Sequence, residues 1–149
     1  MKKIILIILI FGFLTGCITV PMATEGEDKL GKRFKPHPNK ASIYVFQSSS
    51  FDMGLKVNIF LDGDLAGQTA AYTYALLKVR PGDHTISSSL ENIANLNLHT
   101  EAGKLYFIKQ EVNMGAQNPR VSLHQLDSVP GQTEVMKCKL ISSRKTNTY

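Results

Sequence analysis

The chain divides into three stretches by its hydrophobic and polar positions. Met1-Lys2-Lys3 opens it with two positive charges, and Ile4 to Leu14 is an apolar run broken only by Gly12. Ile18 to Lys40 then carries Pro21, Pro36, Pro38, Gly26, Gly31 and many charges, with no sustained period. That pattern predicts a flexible tether, whose coil dimension would be roughly 25–30 Å. From Ala41 onward, strand-like alternation takes over. Ile43-Tyr44-Val45-Phe46 is a short β-rich run, and Leu55, Val57, Ile59 and Leu61 alternate with Lys56, Asn58 and Phe60. Such a period of two is that of a half-buried strand.

Turn chemistry punctuates the rest. Asp62-Gly63 predicts a two-residue hairpin, with Leu65 to Gln68 pairing back. Tyr74 to Val79 is the next strand, closed by Arg80-Pro81-Gly82-Asp83, where proline sets the first central residue and glycine takes positive φ at the second. His84 to Leu90 alternates with Ile86, Ser88 and Leu90 on one side, and Leu96 and Leu98 alternate with Asn95, Asn97 and His99. After a turn at Glu101-Ala102-Gly103-Lys104, Leu105 to Val112 is the most strand-like run, and Val121 to Leu126 adds one more. The expectation is an all-β fold, an antiparallel β-sandwich of about seven strands. Thr133 to Leu140 predicts a short C-terminal helix capped by Asp127 or Ser128, with Val135 and Met136 facing the sandwich. The expected organisation is a leader at 1–16, a tether at 17–40, the sandwich at 41–140 and a polar tail at 141–149.

The N-terminal pattern sets the expected address. Eleven helical residues from Ile4 to Leu14 would cover only about half of a ~30 Å hydrocarbon core, so the run reads as a signal-peptide core. Leu14-Thr15-Gly16-Cys17 follows and resembles the lipobox of bacterial lipoproteins. A thiol is the most nucleophilic side chain available to attack a phospholipid-derived glyceryl group, and small residues before it let the backbone enter a peptidase cleft. The resemblance implies cleavage before Cys17, a diacylglyceryl thioether on its sulfur and an N-acyl group on the new terminus. Several acyl chains hold far more firmly than one. In such lipoproteins Asp after the lipidated cysteine favours the inner membrane. Here the residue is Ile18, so the expected location is the inner leaflet of an outer membrane, facing the periplasm.

Charge and composition narrow the function. Losing Lys2 and Lys3 with the leader lowers the 17 basic side chains to 15 and the net charge from +5 to +3. That excess is too small and scattered for a nucleic-acid binder. The basic residues between Lys29 and Lys35, and between Lys137 and Lys145, read as solvated segments, with weak attraction to anionic headgroups as the sharper alternative. With Cys17 lipidated, Cys138 has no partner for a disulfide, and a buried inert thiol is its expected state.

No catalytic constellation stands out. His37, His84, His99 and His124 show neither H-x-H nor H-x₃-H spacing, so no metal or cofactor is expected. Ser48-Ser49-Ser50 and Ser87-Ser88-Ser89 lack a nucleophile elbow. Asp62 and Asp64 around Gly63 read as turn chemistry rather than a calcium site. Gln110 is the odd residue. If Ile108 and Val112 face the core, Gln110 does too, and its amide needs partners there.

The domain resembles the uncharacterised bacterial DUF2846 family from Ala41 to Leu140. The resemblance rests on Ile43-Tyr44-Val45-Phe46, Ile59-Phe60-Leu61-Asp62-Gly63, Val79-Arg80-Pro81-Gly82-Asp83-His84-Thr85, Glu101-Ala102-Gly103-Lys104-Leu105-Tyr106-Phe107 and Met136-Lys137-Cys138-Lys139-Leu140. The Pro81-Gly82-Asp83-His84-Thr85 element also looks like PEGA-type surface sandwiches. The family implies a β-sandwich and supplies no activity. The expected function is a non-enzymatic envelope lipoprotein, held to lipid through Cys17, whose sandwich binds an envelope protein or polymer. The alternatives are a structural or stress-associated lipoprotein without a specific ligand and, more remotely, an enzyme or metal-binding protein.

Overall fold

A computed structural model describes residues 20–49 and 54–144; Cys17, on which the expected lipid anchor falls, lies outside the described residues. In chain order the elements are α1 (Glu25–Gly31), β1 (Ala41–Gln47), β2 (Val57–Leu61), β3 (Asp64–Thr69), β4 (Thr73–Val79), β5 (Gly82–Ser89), β6 (Ile93–Thr100), β7 (Leu105–Met114), β8 (Pro119–Leu126), α2 (Ser128–Met136) and β9 (Lys139–Leu140). The strands form two sheets, ordered β8-β7-β1-β4-β9 and β3-β2-β5-β6. Their facing sides bury Ile43, Val45, Ile59, Leu77, Ile86 and Ile108 as the main core. No described helix is long and apolar enough to cross a membrane.

The sandwich is mostly β, as the alternation predicts, but not wholly antiparallel. β1 pairs in parallel with β7, and β4 in parallel with β9. β1 also lacks alternation because all seven of its residues are buried. One side of β1 faces the other sheet. The second side, with Tyr44 and Phe46, lies under a layer that includes Phe34, Val135 and Cys138. A strand covered on both faces reads as continuous apolar sequence.

Residues 20–40, expected to be a tether, are instead part of the fold. Val20 is 5% exposed and belongs to the main core. Met22 bridges Ile141 in antiparallel fashion, and Ala23 N–H donates to the Leu140 carbonyl. α1 starts with a capping box: Thr24 Oγ1 accepts from Glu27 N–H while the Glu27 carboxylate accepts from Thr24 N–H. This satisfies two otherwise orphaned donors. Tyr44 donates to the Gly31 carbonyl at 2.9 Å, Tyr74 to the Asp28 carbonyl at 3.3 Å, and Leu140 N–H to Asp28 Oδ1 at 2.9 Å. Burial pushes the Tyr44 phenol up to about 12, so it stays a donor at neutral pH.

The C-terminal region also departs from expectation. α2 occupies Ser128–Met136 with Asp127 at the N-cap position, earlier than Thr133 to Leu140. Val135 is buried against the sandwich, but Met136 is 55% exposed. Residues 139–140 form β9 rather than helix, and Ile141 is buried rather than tail. Ser142 N–H donates to the Pro21 carbonyl and Arg144 N–H to the Ala66 carbonyl. Ala66 has no partner across the β2–β3 ladder, where a bulge shifts the register. Residues 20–23 and 141–144 thus make a ribbon closing the side of the sandwich at β9 and β3.

Candidate functional site

The titratable side chains singled out in the sequence do not converge on one place. At the end of the sandwich formed by the β2–β3 and β4–β5 turns, β2 and β5 pair antiparallel and bring Asp62 to His84. His84 Nδ1 lies 2.7 Å from Asp62 Oδ2, and Nε2 lies 2.8 Å from the Arg80 carbonyl. Both neighbours are acceptors, so only the imidazolium, with a proton on each nitrogen, satisfies both. Burial opposes that charge, but the Asp62 and Arg80 hydrogen bonds and the carboxylates of Asp62 and Asp83 outweigh it and raise the His84 pKa. Asp62 Oδ1 also accepts from Thr85 N–H, at 2.8 Å. This arrangement fastens two turns and leaves no ring nitrogen for substrate. Asp62 (φ 52°) and Gly63 (φ 90°) are both left-handed, as a type I′ hairpin requires.

The other histidines stand apart. His99 meets Asp83 at 2.6 Å on the exposed surface, and His124 lies 2.9 Å from Ser122 Oγ and 3.6 Å from Glu111. His37 Nδ1 accepts from Asn39 N–H in a surface turn. Among the described residues, no group of three or more His, Cys, Asp or Glu side chains could hold a metal ion. Cys138 is buried, and burial followed by the nearby Glu134 charge pushes its thiol up to about 12. Its Sγ lies 3.3 Å from the Gln47 carbonyl. Such a thiol is unreactive at neutral pH.

Gln110 faces the core and has the partners its burial demands. Its Oε1 accepts from Thr69 at 2.6 Å and its Nε2 donates to Ser88 at 2.7 Å. The amide therefore ties β7 of one sheet to β3 and β5 of the other, a structural task. Gln47 is fully buried too, and its amide atoms have no partner among the described residues.

What remains are the sheet edges, which the sequence does not reveal. Four strands end the two sheets. β9 is covered by residues 22–23, and β3 receives Arg144. β8 carries Pro119, and the Asn92 side chain pairs with both backbone groups of Val121, at 2.8 and 2.9 Å. The fourth edge is β6. Its eight residues pair with β5 in unbroken register and, among the described residues, have no hydrogen-bonded strand on the other side. Ile93, Asn95, Asn97 and His99 are exposed along it. It has no lysine, proline or bulge, the devices that normally keep an edge from pairing with another chain.

The family described as "Protein of unknown function (DUF2846)" matches residues 37–124. This chain belongs to the DUF2846 family. The match runs from the turn before β1 into β8, so it contains both sheets except β9. The DUF2846 chain is also 30% identical over 132 residues to an uncharacterized protein of Haemophilus influenzae, covering 87% of this chain and 79% of that relative. Residues 25–149 make up only about 84% of the chain, less than the share covered. The shared region therefore reaches back through α1, which is consistent with α1 being part of the folded unit. No solved structure matches the chain.

Proposed function

We propose that this DUF2846 protein is a periplasm-facing envelope lipoprotein, anchored through Cys17 in the inner leaflet of the outer membrane, whose sandwich is a non-catalytic interaction module. The signal-like run and Leu14-Thr15-Gly16-Cys17 support the anchor. The observation that carries the interaction role is the edge of β6, which no described residue covers, while the other three edges are covered or capped. A partner supplying an extended segment would gain main-chain hydrogen bonds along β6, with Ile93, Asn95, Asn97 and His99 beside it.

The test is photo-crosslinking in living cells from the full chain, with the crosslinker at Asn97 on β6 or at exposed Val129 on α2. A discrete protein or polymer adduct is expected from position 97 and not from 129. Absence of an adduct at 97, or the same adducts from both positions, would move the structural reading without a ligand ahead.

A further inference from the structure

The ribbon places the fold unusually close to the expected anchor. Cys17 precedes Val20 by three residues, and three residues span at most about 11 Å. Val20 is held in the core, and residues 22–23 are hydrogen-bonded to β9 and its continuation, so the ribbon cannot peel away without exposing core. The headgroup layer on each side of a bilayer is itself about 5–8 Å thick. A lipid on Cys17 therefore holds the sandwich against the headgroups, not at the end of a tether.

The surface beside the ribbon has the chemistry of a membrane contact. Met22 is 44% exposed and Leu30 of α1 is 60% exposed. Between α1, the ribbon and the outer face of β1 and β4 lies an open cleft of about 470 Å³, bordered by Lys35, Lys78, Ser42 and Ser142. Neither lysine has an ion pair among the described residues. The acidic side chain bordering the cleft, Glu27, is occupied by its capping bonds to Thr24. On the opposite side of the sandwich, β6 packs across from β8.

We propose that the corner formed by α1 and the ribbon rests on the lipid surface, with Met22 and Leu30 at the interface and Lys35 and Lys78 taking the phosphates of anionic headgroups. This rests on the anchor reading. It also turns the open edge of β6 away from the bilayer, where a partner can reach it. Interfacial contacts of this kind combine a small apolar area with basic residues near anionic lipid.

The experiment uses the full, lipid-anchored chain reconstituted into vesicles of phosphatidylethanolamine with or without phosphatidylglycerol. A nitroxide is attached at Leu30→Cys or at Ile93→Cys, the latter on β6 and 70% exposed. Collisions with oxygen, which concentrates in lipid, are compared with collisions with a water-soluble nickel chelate. The Leu30 label should favour oxygen and the Ile93 label the chelate. Lys35→Gln with Lys78→Gln should weaken the Leu30 preference on the anionic vesicles and leave it unchanged on the neutral ones. A protein that carries acyl chains and floats with the vesicles, yet shows Leu30 as chelate-accessible as Ile93, overturns the inference alone. A protein without acyl chains overturns the anchor reading beneath it.

Discussion

A side chain at Gly31 would collide with Tyr74: a Cβ there would lie 2.6 Å from Tyr74 Oη, which is held by the Asp28 carbonyl. Gly26, one turn earlier in α1, has nothing within 4 Å of the same position. Alanine should therefore act with opposite signs at the two sites. Gly31→Ala should destabilise by about 1–3 kcal/mol through overpacking. Gly26→Ala should stabilise by about 0.5–1 kcal/mol, because alanine loses less backbone freedom in a helix. Urea unfolding measures both. Equal, negligible effects would mean that α1 does not dock on the sheet.

Gln110 gives a second test, inside the sandwich. Gln110→Leu leaves the buried Ser88 hydroxyl without its partner and Thr69 Oγ1 with only the Val57 carbonyl at 3.4 Å, and should cost about 1–3 kcal/mol. Adding Thr69→Val and Ser88→Ala removes the stranded hydroxyls and should recover part of the loss. A triple variant no more stable than Gln110→Leu would show that the amide contributes through packing instead.

His84 predicts a pH dependence. Its pKa is raised in the fold above the ordinary 6.5. A group raised in this way contributes its full stability below the unfolded value and loses it as pH rises through the folded value. The melting temperature of the protein relative to His84→Gln should be greatest below about pH 6.5 and decline through that higher folded value. A constant difference from pH 5 to 9 would show that the imidazolium bonds to Asp62 and Arg80 do not form.

Cys138 should be almost silent toward a disulfide reagent at pH 8 in the folded protein, because burial holds its thiol near 12. Unfolding in guanidinium should restore the reactivity of an ordinary cysteine, whose pKa is about 8.5. Rapid labelling of the native protein would contradict the packing around Gln47 and Glu134.

Cys17→Ser removes the nucleophile for lipid transfer. The variant should incorporate no acyl label, keep its leader and accumulate as a longer precursor, seen on a gel as slower migration. Normal acyl incorporation would remove the basis for the lipoprotein proposal.

The sequence by itself determined what depends on neighbouring residues. The Asp62-Gly63 hairpin, the positive φ of Gly82 and the period-two runs of β2, β5 and β6 were readable because turn chemistry and strand alternation are local. Gln110 was readable as a buried amide because alternation along β7 forces it inward. Helix α1 left a local signal as well, the Thr24-x-x-Glu27 capping box and the Asp28–Lys32 pair. It showed no apolar stripe because the helix has only seven residues and its sole buried one is Gly31. Tertiary structure decided the rest. The parallel pairing of β1 with β7, the meeting of His84 with Asp62 and the covering of three edges but not β6 join residues distant in sequence. No periodicity records such pairings. The short distance from Cys17 to the fold was hidden for the same reason: Val20 belongs to the core only because 141–144 returns beside it.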